Sequence, residues 1–225
     1  MNETYINIHS HRQQTPDSIT VLNVGCHELP ADLDLSTFDW PSCFSIGIHP
    51  WFFNPDSFRQ QWKTLQELSR HPNCVAIGEC GLDQLIDLDK KTQIKIFMQH
   101  AELAQEQNKP LIIHCVRAYH DLLQLKRHHG DSPAWIIHGF NKYKFAEPLL
   151  NEGIYLSLGH NVLHPNHPIA RLLPDLPLDH LFLETDDTDT PDIDTIYQTA
   201  ATIAGLTLKA LKQQLYNNFK RIFLV

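Results

Sequence analysis

Short apolar runs recur along this chain of 225 residues at fairly even spacing. Such runs, bounded by polar or turn residues and separated by segments of helix length, are typical of parallel strands that are buried on both faces. Eight strands are predicted on this basis, at residues 5–8, 19–24, 44–48, 74–78, 111–113, 134–137, 154–158 and 180–183. The pattern therefore predicts an α/β protein built on a parallel sheet.

Several of the intervening segments show the period of an amphipathic helix. Residues 89–107 carry Ile94, Phe97 and Ala101 close to a 3.6-residue spacing, which predicts a helix. Further helices are predicted at 58–69, 118–128, 145–150, 192–204 and 208–223, whereas the connections 10–18 and 26–43 lack the period. These elements predict a (β/α)₈ TIM barrel with a reduced helical layer between the first strands. A single domain over residues 1–225 is expected, because such barrels take about 250 residues.

Side chains of metal-binding types stand at the carboxyl ends of six predicted strands. They are His9 and His11 on strand one, His49 on strand three, Glu79 on strand four, His114 on strand five, His138 on strand six and Asp186 on strand eight. In a (β/α)₈ barrel these strand ends converge on the face that carries the active site. We therefore expect these residues to lie together although they are far apart in sequence.

The chemistry of this set favours divalent cations. Neutral imidazole and carboxylate are ligands that Zn²⁺, Mn²⁺ and Mg²⁺ accept. Four histidines with Glu79 and Asp186 suffice for two ions, and Glu79 is placed to bridge them, as in hydrolytic sites where two metals activate a water. A histidine at a strand end is often structural, and for His49 the structural and functional readings are equally open.

Six sequence blocks around these residues resemble, in order, the signature blocks of the TatD family of metal-dependent hydrolases. The blocks are IHSH at 8–11, GIHP at 47–50, AIGECGLD at 76–83, IHCVRA at 113–118, IHGF at 137–140 and LETD at 183–186. Each block is short, but six in one order over most of the chain form a specific pattern. The resemblance implies a TIM barrel of the amidohydrolase-like group and a divalent-metal hydrolase, with deoxyribonucleases among the family's members.

The resemblance also implies a role for each matching residue. His9, His11, Glu79 and Asp186 would hold one metal, and Glu79, His114 and His138 the second. Glu79 and Asp186 are the predicted catalytic residues, because Asp186 is suited to take a proton from the attacking water and relay it to the leaving oxygen. Arg117 and His49 are candidates for contact with the substrate, Arg117 through a phosphate.

Charge and two departures from the family pattern limit the expected substrate. The chain has 18 Lys and Arg residues against 26 Asp and Glu, a formal charge of −8, which excludes a basic coat for sequence-independent DNA binding. After Asp186 the family commonly has a longer loop with a basic residue, whereas this chain reads DTDTPD at 187–192, and Asn141 stands where an arginine is common. Single-stranded DNA ends or small phosphoesters are therefore expected, without an extended duplex footprint.

Cysteine usage and the N-terminal sequence bear on the compartment. Five cysteines, an odd number without a C-x-x-C pair, predict reduced thiols and a cytoplasmic protein. The first residues lack the basic and apolar regions of a secretion signal, and no run approaches 18 apolar residues, so no membrane association is expected.

Three functions follow from these patterns. The working hypothesis is a phosphodiesterase or deoxyribonuclease of the TatD type, which uses a water activated by two divalent ions. The alternative is a metal-dependent amidohydrolase or lactonase acting on a small C–N or C–O ester substrate, since the same ligand types serve that chemistry in related barrels. A metal-binding scaffold without turnover is disfavoured, because no ligand or relay carboxylate is missing from the sequence.

Overall fold

The parallel sheet predicted from the sequence is present in the computed structural model, which describes residues 4–12, 17–30, 33–35, 38–130, 133–188 and 192–224. Its strands are β1 (Tyr5–Ser10), β2 (Ser18–Gly25), β3 (Phe44–Gly47), β4 (Cys74–Asp83), β5 (Leu111–Val116), β6 (Trp135–Ile137), β7 (Tyr155–Leu158) and β8 (Leu181–Leu183). The strands follow one another in the sheet in chain order, from β1 to β8. Pairs such as β3 with β4 and β7 with β8 run parallel.

Helices connect the strands from β3 onward. They are α1 (Pro55–Leu68), α2 (Lys90–Gln107), α3 (Tyr119–His129), α4 (Ala146–Asn151), α5 (Pro168–Leu172), α6 (Ile193–Ile203) and α7 (Leu208–Phe223). In the part of the chain that the structure describes, no α-helix lies between β1 and β2 or between β2 and β3, and a 3₁₀ turn at Cys26–Glu28 follows β2. The predicted reduction of the early helical layer is confirmed.

The chain forms two compact units, the first of residues 1–22 with 136–225 and the second of residues 23–135. In the first unit, β1 lies beside the segment that follows β8. The Asp186 backbone N–H donates to the carbonyl of His9 over 3.1 Å, and the His11 N–H donates to the carbonyl of Asp186 over 3.0 Å. This bridge and the strand order are those of a (β/α)₈ barrel, so the predicted fold class is confirmed. The single domain over residues 1–225 stays a prediction.

In the first unit, α6 and α7 hold the strands that precede the candidate ligands. The buried hydroxyl of Tyr197 in α6 donates to the carbonyl of Ile6 over 2.9 Å and accepts from its N–H over 3.1 Å. Asn218 in α7 donates to the carbonyls of Leu178 and Leu181, at 2.7 and 3.0 Å. The positions of β1 and β8 are therefore fixed by side chains that arrive last in the sequence.

In the second unit, glycines allow β3, β4 and β5 to approach closely. A Cβ at Gly47 would lie 2.5 Å from the carbonyl oxygen of Glu79, and a Cβ at Gly81 would collide with the carbonyl oxygen of His114. Because only glycine lacks that atom, these two positions permit the backbone spacing that brings Glu79 and His114 together.

Four strands, β1, β2, β4 and β5, are longer than the sequence predicts, and for β4 and β5 the difference affects candidate ligands. β4 continues to Asp83 and β5 to Val116, so Glu79 and His114 lie inside strands, and the prediction that they end them is wrong. The register between β4 and β5 shifts between Ile77 and Cys80, after which pairing resumes as far as Asp83. Glycines at 78 and 81 are typical of a strand end. Here they lie inside β4, where the pairing with β5 is irregular.

All five cysteines are free and buried. Among the described residues, no helix combines the length and the apolar character that crossing a bilayer demands.

Candidate metal centre

In the first unit, His9, His11 and Asp186 form a cluster around one carboxylate oxygen. The Nε2 atoms of His9 and His11 lie 3.4 and 3.7 Å from Asp186 Oδ1. His9 is fully buried, whereas the side chains of His11 and Asp186 are about one third exposed. The cluster therefore has a dry inner side and an open outer side, which a substrate can approach.

Backbone and side-chain hydrogen bonds fix the segment that carries Asp186. Asn7, buried in β1, donates to the hydroxyl of Thr185 over 2.8 Å and accepts from the Thr185 N–H over 3.1 Å. Asp186 itself has φ of 57°, in the left-handed region that aspartate tolerates better than most residues. Asn7 stands two residues before His9 on the same strand. One short segment of β1 therefore carries His9 and also positions the segment of Asp186.

His138 and Glu184 extend this cluster. His138 follows β6 directly, and its Nδ1 lies 3.6 Å from Glu184 Oε1. The same oxygen accepts a hydrogen bond of 2.5 Å from the Gly139 N–H. The ring centroids of His9 and His138 are 4.3 Å apart. The first unit thus collects three histidines and two carboxylates, which we call the first cluster.

In the second unit, Glu79 receives two histidines on one oxygen. His114 Nδ1 lies 3.0 Å and His49 Nε2 lies 3.1 Å from Glu79 Oε1. The Glu79 N–H donates to the side-chain oxygen of Asn23 on β2 over 2.9 Å, which orients the backbone at this point. All three side chains are buried. Glu79, His114 and His49, with Asp83, form the second cluster.

Asp83 determines which nitrogen of His114 faces Glu79. Its Oδ2 lies 3.1 Å from His114 Nε2, so a proton on Nε2 is donated to Asp83 and leaves the lone pair of Nδ1 directed toward Glu79. Burial raises the pKa of Asp83, but hydrogen bonds from Trp51, Leu85 and His114 outweigh it and leave that pKa below its usual value. A charged carboxylate behind a histidine is the arrangement that orients metal-binding imidazoles.

His49 has a different hydrogen-bonding pattern. Its Nδ1 accepts from the Trp51 N–H over 3.1 Å, at the start of a 3₁₀ turn at Pro50–Phe52. A neutral ring in this position carries its proton on Nε2, which then donates to Glu79. The sequence offered His49 as a substrate contact, and the structure brings it beside Glu79, where it can hold that carboxylate in place.

Arg117, the predicted phosphate contact, lies just before α3. Its side chain is exposed and its backbone φ is 54°. Non-glycine residues in this region are uncommon and are concentrated at functional sites.

The donor atoms of both clusters fit divalent cations. Sets whose ligand atoms lie within 4.8 Å of one another include His9, His11 and Asp186, and His138, Glu184 and Asp186, in the first unit, and His49, Glu79 and His114 in the second. Glu184 Oε2 is buried and accepts no hydrogen bond from the residues that the structure describes. A buried carboxylate oxygen without a donor is costly unless a cation binds it, so this oxygen and the mixture of imidazole and carboxylate agree with a metal site.

Two members of these clusters were not identified from the sequence. Glu184 directly follows β8, so the strand-end rule applied there would have found it as readily as Asp186. Asp83 stands four residues after Glu79, and residues at even spacing share a face of a strand. The even spacing of Glu79 and Asp83 indicates a shared face only if β4 continues past its glycines, which the sequence alone does not show.

Comparison with known proteins agrees with this site. A family model described as TatD related DNase matches residues 7–224. A Buchnera aphidicola protein named an uncharacterized metal-dependent hydrolase is 33% identical over 149 residues, which cover 63% of this chain and 54% of that protein. The human 3'-5' RNA nuclease TATDN2 is 35% identical over 150 residues, covering 63% of this chain and 19% of the human protein. This chain thus spans about half or less of these two relatives.

A solved structure supports the fold separately. The crystal structure of YjjV, a TatD homologue from Escherichia coli K12, superposes with a TM-score of 0.77 over 98% of each chain, at 22% identity. At that identity the likeness bears on the fold alone. The family model covers nearly the whole chain and includes every residue of both clusters, and the chain therefore belongs to the TatD-related DNase family.

Proposed function

We propose that this chain is a divalent-metal-dependent phosphodiesterase that cleaves single-stranded nucleic acid. The observation that carries the proposal is that, within each unit, sets of imidazoles and carboxylates lie within 4.8 Å of one another in a chain of this family. Such donor sets bind the ions that hydrolytic enzymes use.

Two ions are proposed, with ligands drawn from both clusters. His9, His11, Glu79 and Asp186 would hold the first ion, and Glu79, His114 and His138 the second, with Glu79 as the bridge. What supports this is the strand order, because in a barrel of parallel strands the carboxyl ends open on one face. Glu184 is a further carboxylate available beside His138.

Other residues of the chain have proposed roles in proton transfer, ligand orientation and phosphate binding. Bound divalent ions lower the pKa of water and neutralise charge that develops on phosphate oxygens. Asp186 is the proton acceptor, since its carboxylate is one third exposed while its backbone is held on both sides by β1. Asp83 keeps the Nδ1 lone pair of His114 directed at Glu79, and Arg117 contacts a non-bridging phosphate oxygen.

Single-stranded substrates suit the charge of the molecule. A formal charge of −8 opposes the long backbone contact that a duplex requires. The family model is described by deoxyribonuclease activity, and one relative is named an RNA nuclease, so both sugars belong in the test.

A substrate panel tests the proposal. Metal-loaded protein is assayed on 5′-labelled single-stranded DNA and RNA, on a nitrophenyl phosphodiester and on a set of lactones. We expect cleavage of the phosphodiesters. Lactone hydrolysis without phosphodiester cleavage at any metal loading would reject the proposal and favour the amidohydrolase or lactonase alternative.

A further inference from the structure

Two neighbouring aromatic side chains beside the second cluster are left largely in solvent. Trp51 is 58% exposed and Phe52 is 45% exposed, both in the 3₁₀ turn that follows β3. Phe52 stacks on the ring of His27, with centroids 3.7 Å apart and planes at 16°. Burial of a large aromatic side chain stabilises a fold, so this exposed pair contributes less to stability than a pair in the core would.

The Trp51 ring is held in place at the candidate metal ligands. Its Nε1–H donates to Asp83 Oδ2 over 2.6 Å, the same oxygen that lies 3.1 Å from His114. Its ring centroid is 5.2 Å from that of His49 and 5.7 Å from that of His114. An exposed indole with its edge anchored to a buried carboxylate is fixed in orientation before any ligand arrives, which reduces the entropy cost of binding.

From this geometry we propose that Trp51 and Phe52 form a stacking subsite for an unpaired nucleobase next to the phosphate that is cleaved. The inference rests on the proposed function and adds a recognition element to it. Every base has a π-face, so aromatic rings bind single strands with little dependence on sequence. In a duplex the bases are stacked on one another, so this subsite selects single strands and frayed ends.

The charge of the molecule favours such a subsite. A net charge of −8 opposes binding through contacts to many phosphates. Stacking of a base on an aromatic ring contributes to affinity and does not require a basic surface. A base held on Trp51 and Phe52 can therefore position the strand where its backbone contacts are few.

The first experiment compares intact and abasic oligonucleotides. Single strands with and without a tetrahydrofuran residue beside the cleaved phosphate are assayed with wild-type protein, Phe52→Leu and the matched control Phe38→Leu. Phe38 is 44% exposed and packs against Trp40. Wild-type protein and the control should prefer the intact strand by about tenfold in kcat/KM, and Phe52→Leu, which leaves Trp51 in place, should lower this ratio to about threefold.

This experiment tests the stacking subsite separately from the phosphodiesterase activity. Cleavage with the same intact-to-abasic ratio in wild type and Phe52→Leu would overturn the subsite and leave the phosphodiesterase standing. Absence of phosphodiester cleavage at every metal loading would instead remove the proposed function on which the subsite rests.

Fluorescence gives a second measurement that does not depend on turnover. Trp51 is more exposed than the other three tryptophans, since Trp40 and Trp135 are buried and Trp62 is only partly exposed, so stacking of a base should quench mainly its emission. Titration of metal-loaded Asp186→Asn protein with oligothymidylate should quench fluorescence, and the added substitution Trp51→Phe should remove the quench. No quenching, or quenching that survives Trp51→Phe, would overturn the subsite.

Discussion

Asp83 illustrates how a single buried carboxylate can orient a neighbouring histidine. It faces His114 Nε2 and so leaves Nδ1 available toward Glu79. Asp83→Asn should weaken binding of Zn²⁺ or Mn²⁺ by about 10–100-fold, because a neutral amide orients and polarises the imidazole less well. Titration calorimetry of the metal-free protein measures this directly.

Asp87 provides the matched control for that substitution. It lies exposed in the loop after β4, four residues beyond Asp83. Asp87→Asn should bind metal as tightly as the unchanged protein. Equal affinity for Asp83→Asn and Asp87→Asn would show that Asp83 has no role at the metal.

Asp186 allows the ligand and relay roles to be separated. Asp186→Asn keeps an oxygen ligand and the backbone bridge to β1, so metal should remain largely bound. Loss of the proton acceptor should lower kcat by about 10²–10⁴-fold. Retained turnover in this variant would refute the relay role.

His100 in α2 makes stability depend on pH. It is fully buried, its Nδ1 donates to the Ile96 carbonyl over 2.8 Å, and its Nε2 accepts from the Ile48 N–H over 3.1 Å. Burial lowers its pKa to about 4 from 6.5. The unfolded chain therefore binds a proton between pH 6.5 and about 4 that the folded chain does not.

Stability is accordingly expected to fall as pH falls through that window, by about 3 kcal/mol from this residue. Urea unfolding of metal-free protein at pH 7.5 and pH 4.5 measures the loss. His100→Gln should lose less stability between these two pH values than the wild type does. An equal loss in both proteins would assign the pH dependence to other groups.

At the scale of elements, close approach of β4 and β5 depends on Gly81. A Cβ there would collide with the His114 carbonyl, so Gly81→Ala should lower the free energy of unfolding by about 1–3 kcal/mol. Gly159→Ala is the control, since its nearest neighbours would be 3.7 Å away and its φ is −102°. If denaturant midpoints of the two variants coincide, the strand spacing does not depend on Gly81.

Elements with a sustained period of apolar residues could be predicted from the sequence, whereas short or irregular elements could not. The helix predicted at 89–107 is observed as Lys90–Gln107, with Asp89 as its N-cap, because its apolar period is sustained over several turns. The five-residue helix Pro168–Leu172 escaped prediction, since one turn gives no period. The predicted range of β4 ends too early, at residue 78, because Gly78 and Gly81 are typical of a strand end.

The same limit explains what could be anticipated of the site. His9, His11 and Asp186 follow from the rule that polar residues at strand ends converge, and the structure brings them together. The contact of Asp83 with His114 depends on strand register, which the sequence does not encode locally. The proximity of Trp51 to the cluster depends on how a turn folds back, for which the sequence carries no signal.

For the whole molecule, the net charge of −8 sets how nucleic acid can be bound. With two or three phosphates contacted, the logarithm of the association constant for a single strand should fall with the logarithm of salt with a slope of about −1 to −2. Fluorescence anisotropy of a labelled strand at several salt concentrations gives this slope. A slope steeper than about −5 would indicate an extended basic surface that the charge does not support.

The proposed function requires two divalent ions for phosphodiester cleavage. The most direct measurement is cleavage of a labelled single strand by protein that has been stripped with a chelator and reloaded stepwise with Mn²⁺ or Zn²⁺. We expect no cleavage by the stripped protein and activity that reaches its plateau at two ions per chain. Full activity in the stripped protein, or no cleavage at any loading, would contradict it.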